Sequence, residues 1–306
     1  MIKNRIEQNM LLQIENPNPK KTSPNLDQNT DQNTDQNTDQ NTDQSTNQRI
    51  NQATDQTMSK SILALCASAI QKFKLIEEND RIAVGCSGGK DSLALIICLK
   101  QLQKRQDFPK FDFQVIHLDQ HQPNFERDLF NENMLKMGVD CTIISKDTWS
   151  VVEQQLKPGQ IPCAVCGRLR RGILNQWCAD HGFNKLALGH HLDDAIETFF
   201  LNLFFGRKLN PLKPATPTAK LGVTTIRPLI LVEERKIKDW VAQSGLKPVP
   251  CPVCDRFPDA KRRDLKILMD QFRLVQSDVH SSIRDAIYDQ TEVVQFLSQK
   301  FIEDEA

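Results

Sequence analysis

The stretch Arg81-Ile-Ala-Val-Gly-Cys-Ser-Gly-Gly-Lys-Asp-Ser92 decides the fold. Ile82 to Val84 is a short apolar run of the length a buried parallel strand would have. Gly85, Ser87, Gly88 and Gly89 make a glycine-rich loop, followed by Lys90, Asp91 and Ser92. Beyond them Leu93, Leu95, Ile96, Leu99 and Leu102 recur at helical spacing. Strand, glycine loop and helix start are the parts of a phosphate cradle. Glycines let backbone N–H groups approach an anion, and the helix N-terminus adds partial positive charge. The loop is not a Walker A motif, because that motif's first Gly and its Ser or Thr after the Lys are replaced here by Val84 and Asp91.

Outward from this loop the chain alternates strand and helix patterns. A helical face (Ile62, Leu65, Ala69, Ile70, Phe73) precedes it. Phe111–Leu118 reads as a second strand ending at Asp119, Phe125–Met137 as a helix and Cys141–Ser145 as a strand. A helix from about Arg168 to His181, a strand at Lys185–Gly189 and an apolar helix Ala195–Phe205 continue the pattern. Residues 206–223, with Pro211, Pro214 and Pro217, read as an irregular basic loop; a short strand at Thr224–Pro228 and a helix at Glu233–Ser244 follow. The alternation predicts an α/β fold, a doubly wound parallel sheet with helices on both faces. Ligands in such sheets sit at the carboxyl ends of the strands. The loop at Ser87, His117 and Asp119 at the end of the second strand, and the run His190-His-Leu-Asp-Asp194 would all meet there, His117 and Asp119 as candidates to line the ligand pocket.

Of the 306 residues, 39% are hydrophobic and 25% charged, which suffices for a full core only because the polar sequence is segregated. Residues 1–57 carry Asp-Gln-Asn-Thr repeats from Asp27, Asp31, Asp35 and Asp39, decaying to Asp-Gln-Ser-Thr at Asp43. Nothing apolar in the repeats repays the entropy of ordering them, so a disordered tail is expected. Residues 58–270 are expected to form the catalytic domain and 271–306 a C-terminal helical extension. Net charge is zero overall, with a slight basic excess outside the tail that suits an anionic partner such as RNA. No apolar run approaches the ~18 residues of a membrane span, and the N-terminus lacks the apolar core of a signal peptide. A cytoplasmic protein with no membrane partner is expected.

Nine cysteines in such a chain do not suggest a disulfide framework. Cys66, Cys86, Cys98 and Cys178 fall in apolar or helical contexts and read as core residues, and Cys141 as a strand residue. Cys163, Cys166, Cys251 and Cys254 differ: they form two Cys-x-x-Cys pairs beside prolines. A structural zinc site, a redox dithiol and an iron–sulfur cluster are the alternatives, and spacing does not choose between zinc and iron.

Ser87-Gly-Gly-Lys-Asp-Ser92 resembles the PP-loop of the ATP pyrophosphatases, which split ATP into AMP and pyrophosphate to adenylate a substrate. Behind it, Cys163–Gly172, Ala187–Asp194, Phe200–Gly206, Ile226–Leu229 and Pro250–Cys254 are similar, in the same order, to motifs of the tRNA 2-thiocytidine synthetases. The similarity covers about residues 58–270. It implies an adenine nucleotide alpha hydrolase-like fold and a sulfurtransferase dependent on ATP and Mg²⁺. The reaction replaces the C2 oxygen of a cytidine in the tRNA anticodon loop, at position 32, by sulfur. It further implies that Cys163, Cys166 and Cys251 bind a [4Fe–4S] cluster with one iron left open, Cys254 having no settled role. Ser87, Gly88, Gly89, Lys90, Asp91 and Ser92 would bind ATP, with Lys90 neutralising phosphate charge and Ser92 donating a hydrogen bond. Asp193 or Asp194 would hold Mg²⁺ or orient the base, with helix N-capping as the competing role. Arg170 would stabilise oxyanion charge near the cluster. Arg207-Lys208 and Lys261-Arg-Arg263 are candidate phosphate contacts. The implied partners are tRNA, a cysteine desulfurase as sulfur donor, a thiol reductant and a second copy of the chain as homodimer. The segment Arg207–Pro214 departs from the family pattern, which leaves the target nucleotide open. Two other readings compete: a different PP-loop adenylating tRNA-modifying enzyme with structural zinc, and a non-catalytic zinc-stabilised RNA-binding module.

Overall fold

The computed structural model describes residues 58–156, 162–252 and 260–289, all of them in one compact unit. The expected tail, Cys254 and everything after Asp289 lie outside the described residues. Element order is α1 (Lys60–Lys72), β1 (Asp80–Gly85), α2 (Lys90–Gln103), β2 (Phe111–Asp119), α3 (Arg127–Met137), β3 (Cys141–Ser145), α4 (Trp149–Gln155), α5 (Cys163–Asp180), β4 (Lys185–Ala187), α6 (Leu192–Gly206), β5 (Ala215–Thr218), β6 (Val223–Ile226), α7 (Glu234–Ser244), α8 (Ala260–Val275) and α9 (Val279–Tyr288).

The six strands form one sheet in the order β3-β2-β1-β4-β6-β5. Every pairing is parallel except β5 with β6. The chain steps from β1 to β2 on one side and reaches β4 on the other, so the crevice between β1 and β4 is the topological switch point where such sheets take ligands.

Alternation along the strands builds a core on each face of the sheet. Ile82 and Val84 of β1, Val115 of β2, Ala187 of β4 and Ile226 of β6 pack with α1, α2, α3 and α7. Ala83, Ile116, Leu118, Leu186 and Val223 face the other way, against Leu174 and Cys178 of α5. In α2, Leu93, Leu95, Ile96, Leu99 and Leu102 are fully buried, each worth ~1.5–3 kcal/mol relative to exposure. That burial anchors the helix whose N-terminus closes the glycine loop.

Four expectations change. The irregular loop contains β5, an edge strand, and Pro217 is tolerated there because an edge position does not require its missing N–H. Helix α5 begins at Cys163 rather than near Arg168, with Pro162 as its N-cap, so both thiols of the first pair lie in its first turn. Helix α6 begins at Leu192, three residues early, which brings Asp193 and Asp194 into its first turn. The expected boundary at residue 270 falls inside α8, which runs to Val275. Helices α8 and α9 pack on α6 through Met269, Val279 and Ile283 against Leu192, Ile196 and Phe200. Tyr288 reaches farther, stacking edge-on against Phe73 and donating its hydroxyl to the Leu212 carbonyl at 2.7 Å.

Candidate active site

The loop after β1 keeps its shape through contacts that only its own residues allow. Gly88 has φ +81°, and a Cβ there would lie 3.0 Å from the Val249 side chain and 3.1 Å from Phe130. Its carbonyl accepts a hydrogen bond from the Val249 N–H at 2.9 Å, which ties the approach to Cys251 directly to the loop. Gly89 is the extended N-cap of α2 and has no side-chain cap, so the first-turn N–H groups face the crevice without a side-chain partner at the cap. The Ser92 hydroxyl donates to the Gly89 carbonyl at 2.8 Å and is buried. That bond helps hold the shape of the loop.

His117 is also scaffold. Its ring stacks on Phe125 and lies against Phe130, and its Nδ1 bonds to the Cys86 carbonyl at 2.8 Å. Burial pushes its pKa down. Asp119 closes the turn after β2, accepting from the His121 N–H at 3.0 Å and from Arg127 at 2.6 Å.

Across the crevice, the loop after β4 comes to the start of α2 because Gly189 has no side chain: a Cβ there would lie 2.9 Å from the Asp91 carbonyl carbon and oxygen. His191 follows as N-cap of α6, its N–H donating to Asp194 Oδ2 at 3.0 Å. Asp193 caps a different helix. Its Oδ2 accepts the Glu234 N–H of α7 at 2.7 Å, while Oδ1 faces His280 at 3.4 Å. Burial works against the Asp193 charge, but the bonds from His280 and the Glu234 N–H outweigh it and hold its pKa below the usual carboxylate range. The capping role expected for one of the two aspartates is thus filled by both. Asp91 differs: its Oδ1 is buried with no hydrogen-bond partner among the described residues, 3.7 Å from His191 Nε2.

Lys90 sits between Asp91 Oδ2 at 3.0 Å and Glu234 Oε1 at 2.9 Å. Burial opposes its charge, yet the two carboxylates prevail and raise its pKa. Glu234 also accepts from Lys238 at 2.9 Å and Lys266 at 2.5 Å through Oε2. Burial would raise the Glu234 pKa, but the three lysines overcome it and drive it far below the ordinary range. Glu234 is not among the site residues that the sequence singles out; its one signal there is an acidic pair opening the helix just after Ile226-Arg-Pro-Leu229. Arg262 bonds to Glu197 at 2.9 Å, so that member of the expected basic run faces α6.

The cysteines divide as their contexts predict. Cys66, Cys86, Cys98 and Cys178 are buried, and burial pushes the thiols of Cys86 and Cys178 up to about 11 and about 12. Cys163 and Cys166 are half-buried and Cys251 is exposed. Cys166 Sγ lies 3.3 Å from Gln120 Nε2 and 3.5 Å from Gln122 Nε2, at the carboxyl end of β2. Both thiol segments therefore reach the edge that carries the loop, one through Gln120 and the other through Val249. Among the described residues no three His, Cys, Asp or Glu side chains stand close enough together to hold a single metal ion. Arg170 is half-buried on α5, and its charge adds to the depression of both His117 and His190. For His190, burial dominates and pushes the imidazole down to about 4.

A glycine loop at the switch point of a mostly parallel sheet, with an uncapped helix N-terminus and a lysine behind it, defines a nucleotide-binding α/β domain of the PP-loop class. The PP-loop domain family matches residues 54–249. The tRNA-cytidine(32) 2-sulfurtransferase of Alkalilimnicola ehrlichii is 38% identical over 217 residues, 71% of this chain and 69% of the relative. That of Stenotrophomonas maltophilia is 38% identical over 215 residues, 70% of each chain. That of Vibrio vulnificus is 35% identical over 240 residues, 74% of this chain and 77% of the relative. The chain belongs to this family of PP-loop proteins. The fold is shared with the U34-tRNA thiolase NcsA from Methanococcus maripaludis, solved with its [4Fe-4S] cluster. The TM-score is 0.59 at 22% identity, over 75% of this chain and 78% of that one.

Proposed function

We propose that the protein is an ATP-dependent tRNA sulfurtransferase that converts cytidine 32 of the anticodon loop to 2-thiocytidine. The observation that carries this reading is the meeting, at one sheet edge, of the Ser87–Ser92 loop with two thiol-bearing segments, joined by the Val249–Gly88 and Gln120–Cys166 contacts.

In this reading Ser87, Gly88, Gly89 and the first turn of α2 hold the ATP phosphates by backbone N–H groups. Lys90, kept charged by Asp91 and Glu234, compensates the charge that builds as pyrophosphate leaves. The cytidine O2 attacks the α-phosphorus, which makes C2 electrophilic. A sulfur nucleophile then attacks C2, the C–O bond breaks and AMP departs, with no net oxidation or reduction. In this reading Arg170 stabilises the oxyanion side of this exchange.

Two groups that this chemistry calls for fit residues present here. Asp91 supplies a buried carboxylate oxygen without a hydrogen-bond partner among the described residues, the hard donor that Mg²⁺ prefers; bound there, the ion would offset phosphate charge. Asp193 and Asp194 serve by shaping the α6 and α7 N-termini around it. Cys163, Cys166 and Cys251 supply thiolates, the donors of iron–sulfur clusters, and amide N–H groups stand against one of the sulfurs. A [4Fe–4S] cluster held by them would carry the sulfur nucleophile. The sulfur donor would be a cysteine desulfurase working with a thiol reductant, and a homodimer would match the family resemblance.

Mass analysis of tRNA nucleosides from cells lacking the gene tests the activity. Loss of 2-thiocytidine is expected, with return on complementation. Unchanged 2-thiocytidine would overturn the reading.

A further inference from the structure

We infer that Gln120 and Gln122 are positioning residues for Cys166, donating N–H···S hydrogen bonds that fix its sulfur at the sheet edge and withdraw charge from it when it binds the cluster. The inference rests on the proposal above that Cys166 is a cluster ligand.

Gln120 follows β2 directly and is only 7% exposed. Both its main chain and its side chain are clamped by the turn that opens α4. Its carbonyl accepts the Trp149 N–H at 3.2 Å, and its Nε2 donates to the Thr148 hydroxyl at 2.8 Å. Thr148 is itself 3% exposed. A carboxamide has two N–H donors, and with one held by Thr148 the other faces Cys166 Sγ at 3.3 Å. The amide oxygen lies 3.4 Å from the same sulfur, placed to accept an S–H in the unloaded protein. Gln122, two residues on and less buried, brings a second Nε2 to 3.5 Å from that sulfur.

A neutral thiol is a poor acceptor, and two amides converging on it would be weakly repaid for leaving water. A thiolate is a strong acceptor, and hydrogen bonds to a charged group are about twice as strong as neutral ones. The pair is therefore matched to a sulfur carrying negative charge. Hydrogen bonds to cluster sulfurs favour the more negative, reduced state and so raise the reduction potential, and residues that orient a metal ligand tune the site without touching the metal.

The test uses full-length protein reconstituted anaerobically. It compares wild type, Gln122→Leu, Gln120→Leu and the double variant by iron and sulfide content, visible circular dichroism and spectroelectrochemical titration. The expected result is a more negative potential in each single variant and a larger shift in the double, at wild-type far-ultraviolet dichroism. Gln122→Leu keeps the experiment decisive if Gln120→Leu does not fold, because Gln122 lies outside the core. A cluster-bearing wild type whose potential is unmoved by Gln122→Leu and by any folded Gln120 variant would overturn the inference while leaving the thiol assignment standing. A wild type that binds no iron would instead overturn that assignment, and this inference with it.

Discussion

Gly189 shows how closely the two halves of the crevice approach. A single added carbon would meet the Asp91 carbonyl at 2.9 Å and the Ser92 amide nitrogen at 3.0 Å, all backbone atoms that cannot turn aside. Gly189→Ala is expected to destabilise the protein by ~1–3 kcal/mol and to weaken ATP binding, as measured by thermal denaturation and nucleotide titration. His190 makes a pH prediction. Its folded pKa of about 4 lies below the unfolded value near 6.5, so the unfolded chain binds the proton first. Stability should fall as pH drops from about 6.5 to about 4, with burial, Arg227, Arg170 and Arg171 all opposing the charge and Asp194 alone favouring it. His190→Gln should flatten that slope in denaturant titrations across the window. Among the thiols, Cys251→Ser is expected to abolish iron retention and Cys254→Ser to leave it intact; the reverse outcome would move the third ligand three residues along.

At the scale of elements, Glu234 at the first turn of α7 joins three helices by bonding Lys90 of α2, Lys238 of α7 and Lys266 of α8. Because its folded pKa is depressed, the stabilisation is complete above the unfolded carboxylate value and is lost as pH falls through the folded one. Glu234→Gln should therefore cost ~1–3 kcal/mol at neutral pH, with the difference from wild type closing in acid, as followed by chemical denaturation at several pH values. The strand–loop–helix at Ile82–Leu102 and the β3 bounds were legible in the sequence because period and glycine placement are local signals. The starts of α5 and α6 were not, because the fixed φ of Pro162 and the capping box of His191 and Asp194 set them while the apolar pattern begins a turn later. Strand β5 was hidden because its pairing with β6 is a tertiary matter and prolines surround it. Among site residues, the loop and the cysteine pairs showed by composition and spacing. Glu234, Gln120 and the double capping by Asp193 and Asp194 showed only once segments distant in sequence were brought together.

For the whole molecule, the C-terminal helices belong to the scaffold of the crevice. His280 of α9 faces Asp193, Arg273 of α8 bonds to Glu233 at 3.2 Å, and Tyr288 packs with Ala69, Ala195 and Ile230. Truncation after residue 270 is expected to lower the melting temperature and abolish ATP binding, whereas removal of residues 1–57 should leave both unchanged. In the proposed function, nucleotide activation and sulfur delivery act on one cytidine from a single edge of the sheet, and a reconstituted turnover measures that coupling most directly. Anaerobically loaded protein, ATP, Mg²⁺, sulfide and unmodified tRNA should yield 2-thiocytidine, AMP and pyrophosphate in equal amounts, with no product when Cys166 is replaced by Ser. ATP split to AMP and pyrophosphate in the presence of tRNA without incorporation of sulfur, or 2-thiocytidine formed undiminished by the Cys166→Ser protein, would contradict the account.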